Sequence, residues 1–170
     1  MPVEHEDAAA LTVLGGFLRN GFLHRVIREQ GGAYGGGASH DAPNACFNFY
    51  SYRDPRLVGT LNDFDASIEW LLNEEHEWRQ LEESILGVVS SLDKPGSPAG
   101  EAKQAFHNQL NGRTAEQRQK FRKRILQVTL DDLKRVGKTY LLPEKASIAV
   151  ITNAAMEAVV KDLGLDVMYL

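Results

Sequence analysis

The chain holds 170 residues, 43% of them hydrophobic and 25% charged. These are the proportions of an ordinary globular protein, long enough for one self-sufficient core and too short for a multidomain enzyme. Its 19 basic and 23 acidic side chains leave a formal charge of −4, so nucleic-acid binding has no global electrostatic support, and one cysteine, Cys46, excludes an intrachain disulfide or a multi-cysteine metal site.

Residues 6–29 read as the first helix. Leu11, Leu14, Leu18, Phe22 and Val26, with Ile27, recur at three- and four-residue spacing and share one face. Asp7 suits the positive end of this helix. Gly15, Gly16 and Gly21 lie inside the pattern. Each should cost about 1 kcal/mol against alanine, which marks close packing or a bend. Gly31-Gly32 ends the helix. Residues 33–40, with Tyr34 and the run Gly35 to Gly37, read as an extended edge strand. Asp41 to Asn44, with Pro43, forms a turn, and residues 45–52, rich in Phe47, Phe49, Tyr50 and Tyr52, the antiparallel partner. Cys46 is expected there as a small buried hydrophobe.

Asp54-Pro55 predicts the start of a second helix, with Leu57, Leu61, Phe64, Ile68 and Leu71 on its apolar face. Trp78, Leu81, Ile85, Val88, Val89 and Leu92 mark a third. Lys94 to Gly100 is a loop, from which Ser97-Pro98 opens a helix to about Leu110. Two capping boxes, Thr114 with Gln117 and Thr129 with Asp132, start two more helices. The first carries Phe121, Ile125 and Leu126, the second Leu133, Val136 and Tyr140. Residues 146–151 read as a short apolar strand, and 154–162 as a terminal helix before a tail from Leu165 to Leu170. So small a sheet must cover many helix faces. The expectation is therefore that the sheet's first strands lie upstream in a longer chain, or that a partner covers the helices.

The most distinctive stretch is 17–56. Ile27-Arg28-Glu29-Gln30-Gly31-Gly32-Ala33-Tyr34-Gly35 is close to an Arg-Glu-Lys-Gly-Gly-Ala-Tyr-Gly signature, and Tyr50-Ser51-Tyr52-Arg53-Asp54-Pro55-Arg56 carries a Ser-Tyr-Arg-Asp-Pro signature. Ser91-Leu92-Asp93-Lys94-Pro95 and Ser97-Pro98-Ala99-Gly100 follow the same pattern. In these phrases the chain resembles the C-terminal half of the presequence-protease branch of the insulinase (pitrilysin-type) zinc metallopeptidases. The likeness is dense from residue 8 to residue 110 and thinner beyond.

That resemblance implies an α+β fold, a largely antiparallel sheet with helices packed on one face, and a single C-terminal-type peptidase domain or part of one over residues 1–170. Family members are two-half, clam-shell proteases whose zinc sits on an inverted His-x-x-Glu-His motif plus a distant Glu in the N-terminal domain. The C-terminal half is the noncatalytic wall of a peptide chamber. The expectation is thus no catalytic residue, cofactor or metal in this chain, with zinc in the N-terminal domain of the parent protein. Its partners would be the catalytic N-terminal half and unfolded peptide, without nucleic acid or membrane, and the isolated piece could self-associate. By motif position Arg28 and Tyr34 correspond to the family's peptide-contacting Arg and Tyr, where a guanidinium and a phenol donate hydrogen bonds to substrate carbonyls. Gly35, Tyr50 and Tyr52 are candidates for the chamber wall. Read as residues alone, Arg28 equally suits a helix C-terminus and Tyr34 a sheet position packed over its neighbours. Arg53 and Arg56 read as structural, Arg53 pairing with a carboxylate around Asp54. The alternative function is a nonpeptidase binding or assembly protein on the same fold.

None of the five histidines (His5, His24, His40, His76 and His107) has another at metal-ligand spacing. Glu75-His76 resembles the end of the zinc motif, but Leu72 holds the first histidine position. The glycines at 31–37 follow a helix C-terminus, whose free carbonyls repel phosphate, so they are no phosphate loop. The basic stretch Arg113, Arg118, Lys120, Arg122, Lys123 and Arg124 reads as a solvated helix face. The lone cysteine, the acidic start and the lack of a long apolar run lead to an expected cytoplasmic location.

Overall fold

The computed structural model describes residues 2–110 and 114–169. Helix α1 (Ala8–Leu18) is almost wholly apolar, with Thr12 its one polar side chain, and is buried along most of its surface, from Ala8 and Leu11 through Val13 and Leu14 to Phe17 and Leu18. It is the axis of the molecule. A π-helical segment, Arg19–Gln30, continues it without a break. Strands β1 (Gly35–Asp41) and β2 (Cys46–Tyr52) form an antiparallel hairpin, with Gly35 opposite Tyr52 and Ala38 opposite Phe49. Helices α2 (Val58–Asn73), α3 (Trp78–Leu92), α4 (Pro98–Leu110), α5 (Ala115–Ile125), α6 (Leu130–Tyr140) and α7 (Glu157–Asp162) follow.

The hairpin packs on α1 and the π-helical segment, while α2, α3, α5 and α6 pack around the remaining sides of α1. Their stripes supply Ile68 and Leu71, Leu81 and Ile85, Phe121 and Ile125, and Leu133 and Val136 to one core. Two glycines allow the closest approaches. A Cβ on Gly15 would sit 3.0 Å from the Ser39 backbone, and one on Gly137 would sit 2.6 Å from Leu71. Both predicted capping boxes form, with Thr114 and Thr129 accepting from the Gln117 and Asp132 amides.

This arrangement corrects the expected sheet-dominated fold. Among the described residues the sheet has two strands, and helices make most of the molecule. Residues 146–151 form no strand. The physical reason is that α1, almost wholly apolar, gives the other helices something to pack on, so their stripes meet a helix and not a sheet. Helix α2 begins at Val58, past the predicted Asp54-Pro55 start, because the Asp54 carboxylate organises the preceding turn: it accepts from the Arg56 amide (2.9 Å) and from the Thr60 hydroxyl (2.6 Å). Helix α4 has no buried residue, and Leu170 and Arg113 of the expected tail and basic face lie outside the described residues.

The entry to α1 is tied to α5 and α6 by a polar cluster. The buried Asp7 carboxylate accepts from Arg135 (2.6 Å) and from the Tyr140 hydroxyl (2.7 Å). The Arg135 hydrogen bond holds the Asp7 carboxyl below the usual carboxylate range against the opposing effect of burial. Arg124 donates to the Val3 and His5 carbonyls at 2.5 and 2.8 Å.

Candidate functional site

The signature residues meet where the π-helical segment turns into the hairpin. In a π-helix, i→i+5 bonding widens each turn, so side chains about four to five positions apart share a face. Leu18, Leu23 and Ile27 step by that interval and are fully buried, with Phe22 and Val26 packed beside them. The same step leaves Arg19, His24 and Arg28 exposed in one column. Arg28 lies in the last turn. Its guanidinium makes no hydrogen bond or ion pair among the described residues.

After Arg28 the chain reverses through Gly32, whose φ of 81° lies in the left-handed region that glycine adopts without strain. The Gly32 amide donates to the Arg28 carbonyl (3.2 Å) and the Ala33 amide to the Ile27 carbonyl (3.1 Å). Arg56 braces this reversal from below. Its Nη2 donates to the Val26 carbonyl (3.3 Å) and to Asp63 (2.8 Å), and a Cβ on Gly31 would lie 2.1 Å from that nitrogen. A cation at the carbonyl end of a helix is favourably placed. Arg56 is structural, as its sequence context implied.

Tyr34 follows, 68% exposed. Its amide donates to the Tyr52 carbonyl (3.1 Å) and more weakly to that of Arg53 (3.4 Å). Strand alternation then sorts β2: Phe47 and Phe49 pack toward the core, and Cys46, Asn48, Tyr50 and Tyr52 face out. Cys46 is therefore exposed, not the buried hydrophobe expected, and its thiol donates to the Asn44 carbonyl (3.2 Å). Tyr50 and Tyr52 are 44% and 56% exposed. Tyr34 and Tyr52 meet edge to face, ring centroids 6.0 Å apart. Arg53, and not Arg28, is the cation over these rings.

Arg53 is the residue that sequence reasoning assigned differently. Its guanidinium lies over both rings, 5.9 Å from the Tyr34 centroid and 5.4 Å from that of Tyr52, and it makes no carboxylate pair among the described residues. Asp54 is already committed to Thr60 and the Arg56 amide. Arg53 also has a φ of 48°. The signal was the Tyr-Arg pair in the second signature, but only the fold brings Tyr34 beside it.

The glycine run divides in function. A Cβ on Gly36 would lie 2.7 Å from Ile27, and one on Gly37 would lie 2.7 Å from the Arg19 stem. These two admit the protein's own helix. At Gly35 nothing lies within 4 Å of that position, so the space beside Tyr34 is open.

The remaining candidates have structural partners. His76 Nε2 donates to the Leu71 carbonyl (2.9 Å), and its ring meets Trp70 edge to face with centroids 4.5 Å apart. His24 faces Glu29 (3.3 Å), and His40 meets the Thr12 hydroxyl (2.9 Å). In the basic stretch Arg122 grips Asp93 (2.7 Å) and Lys120 pairs with Glu116 (2.7 Å). Among the described residues no group of three or more His, Cys, Asp or Glu is placed to hold a metal ion. No helix among them is long and apolar enough to cross a membrane. An open cleft of about 960 Å³ lies between α4, α5 and the hairpin turn, but none of Arg28, Tyr34, Tyr50 or Tyr52 lines it.

Comparison with known proteins places this geometry in a family. The model of the PreP C-terminal domain matches residues 4–153. The mitochondrial presequence protease of Yarrowia lipolytica is 41% identical over 152 residues, 89% of this chain and 15% of that protein. That of Saccharomyces cerevisiae is 40% identical over 153 residues, again 89% and 15%. That of Danio rerio is 37% identical over 163 residues, 95% and 16%. The chain thus spans about 15% of the length of these curated relatives. These relatives are all mitochondrial, which overturns the cytoplasmic location expected from composition, because cysteine count and charge do not encode an address. With most of its length matched, the chain belongs to the PreP C-terminal domain family, in the presequence-protease branch of the insulinase-type zinc metallopeptidases.

Proposed function

We propose that this chain is a noncatalytic wall of the peptide chamber in a zinc metallopeptidase that degrades unfolded peptides, with Arg28 and Tyr34 contacting the bound peptide. The observation that carries the reading is the exposed pair of signature residues at one reversal: a guanidinium without a partner among the described residues and a phenol two-thirds in solvent. Arg56 and His76, by contrast, point inward, Arg56 donating to Asp63 and His76 to the Leu71 carbonyl. Tyr50, Tyr52 and open Gly35 extend the same surface.

In this reading the catalytic N-terminal half of the parent would hold zinc, which would supply Lewis-acid polarisation and water activation there. Residues of the present chain do the rest of the positioning. The Arg28 guanidinium and the Tyr34 hydroxyl donate hydrogen bonds to peptide carbonyls, and they stabilise charge on the carbonyl oxygen as it develops. The names of the relatives point to targeting presequences as substrate and to the mitochondrion as compartment. The isolated chain, lacking its catalytic half, exposes Leu86, Phe106 and Leu110 and can self-associate.

The test uses the parent protein carrying both halves. Tyr34→Phe and Arg28→Ala should each lower kcat, by on the order of 100-fold for a lost oxyanion donor, with zinc content unchanged by metal analysis. Unchanged kinetics in both variants would sink the assigned roles.

A further inference from the structure

We propose that Arg53 is a positioning residue for Tyr34: clasped over the Tyr34 and Tyr52 rings, its guanidinium holds the Tyr34 phenol in the orientation that meets a bound peptide. The inference rests on the reading of Tyr34 as a peptide contact.

Tyr34 has a position problem. Its main chain is fixed by the amide bonds to the Tyr52 and Arg53 carbonyls, but its ring is 68% exposed. A ring free to rotate would lose that freedom on binding, and the loss would weaken the complex. Two contacts restrain it: the edge of Tyr52 at 6.0 Å and the Arg53 guanidinium at 5.9 Å. The guanidinium also lies 5.4 Å from the Tyr52 centroid, so it links the two rings. A cation over an aromatic face is attracted to it and leaves the phenol oxygen at the ring edge free to bond elsewhere.

The backbone supports the same role. Arg53 has a φ of 48°, a conformation that costs free energy for any residue with a Cβ and that glycine adopts freely. Glycine would make the same turn at less cost. What arginine adds is its head group. Among the described residues the partners of that head group are the two rings, since the neighbouring Asp54 carboxylate is taken by Thr60 and the Arg56 amide. The left-handed backbone at Arg53 thus aims a planar cation at the ring across the open end of the hairpin.

The variant Arg53→Gly separates the two roles, because glycine keeps the backbone and removes the guanidinium. Its unfolding midpoint should match or exceed that of the original chain. In the full 170-residue chain, NMR should show Arg53 δ-methylene protons shifted upfield by the rings, and Tyr34 ring resonances that move to free-tyrosine positions in Arg53→Gly. Titration with a fluorescein-labelled unstructured peptide should give a Kd roughly two- to fivefold higher in Arg53→Gly, the size of one exposed cation–π contact. Arg53→Lys should recover part of the loss, and Arg53→Gly should add nothing in a Tyr34→Ala background. Tyr34 resonances that stay in place in Arg53→Gly would overturn the proposal. So would an unchanged Kd in Arg53→Gly when Tyr34→Ala raises it. A Kd unmoved by Tyr34→Ala would instead sink the peptide-contact reading itself, with the ring shifts still reporting whether Arg53 holds the ring.

Discussion

Gly35 and Gly36 are neighbours with opposite tolerance. Alanine at Gly36 would put a methyl 2.7 Å from Ile27 and 3.1 Å from the Tyr50 carbonyl. We expect Gly36→Ala to destabilise by about 1–3 kcal/mol, as overpacking does, and Gly35→Ala to stay within about 0.5 kcal/mol, read from urea midpoints. Asp7 gives a second prediction at this scale. Its carboxyl is held below its ordinary range by Arg135, so its contribution is full above the unfolded pKa of about 3.9 and is lost as pH falls through the lower folded value. Asp7→Asn should therefore cost about 1–3 kcal/mol near neutral pH, discounted for the half-exposed Arg135, and should flatten the acid limb of stability against pH. At this scale Arg28, Tyr34 and the turn at Gly31-Gly32 were legible from the signature. The ring-holding role of Arg53 was not, because it depends on one φ angle and on a contact between distant parts of the chain.

Element boundaries show which interactions are local. Both capping boxes were readable, since each needs only a side chain and an amide three residues apart. Thr129→Ala should lower stability by about 1 kcal/mol, measured by thermal or urea unfolding, because it frees the Asp132 amide at the start of α6. The π-helical segment was missed, yet its signal lay in the sequence. Leu18, Leu23 and Ile27 repeat at a longer interval than an α-helix allows, while Leu18, Phe22 and Val26 read acceptably as α-helix. The register is settled by packing: it buries two apolar columns side by side and keeps Arg19, His24 and Arg28 in solvent. Gly21 marks the same contact, where an added Cβ would meet the Trp70 ring at 2.5 Å. Gly21→Ala should displace Trp70 from Phe17 and Phe22 and change the near-UV circular dichroism.

At the scale of the molecule, one largely apolar helix organises everything else. The hairpin covers one side of α1 and four helices the others, so a two-stranded sheet suffices for a stable core. The expectation of a largely antiparallel sheet came from the family resemblance, and that of further strands or a covering partner from counting helix stripes. Among the described residues the buried polar groups are paired with one another, as at Asp7 and Asp54, with the Arg56 Nε as the one buried side-chain nitrogen lacking a hydrogen bond. Chelators should leave the unfolding midpoint of the chain unchanged, and the purified chain should cleave no peptide. Metal-dependent cleavage by this chain alone would contradict its noncatalytic assignment.

The amino-acid order by itself determined the helix stripes, the caps, the hairpin and the family signature, because each is written in residue types at short, fixed intervals. Only the tertiary structure decided that the helices pack on α1 and not on a sheet, that residues 19–30 wind as a π-helix, and that Arg53 closes over Tyr34. Those outcomes turn on which distant surfaces meet, and burial and packing favour one arrangement among several that the local pattern permits equally.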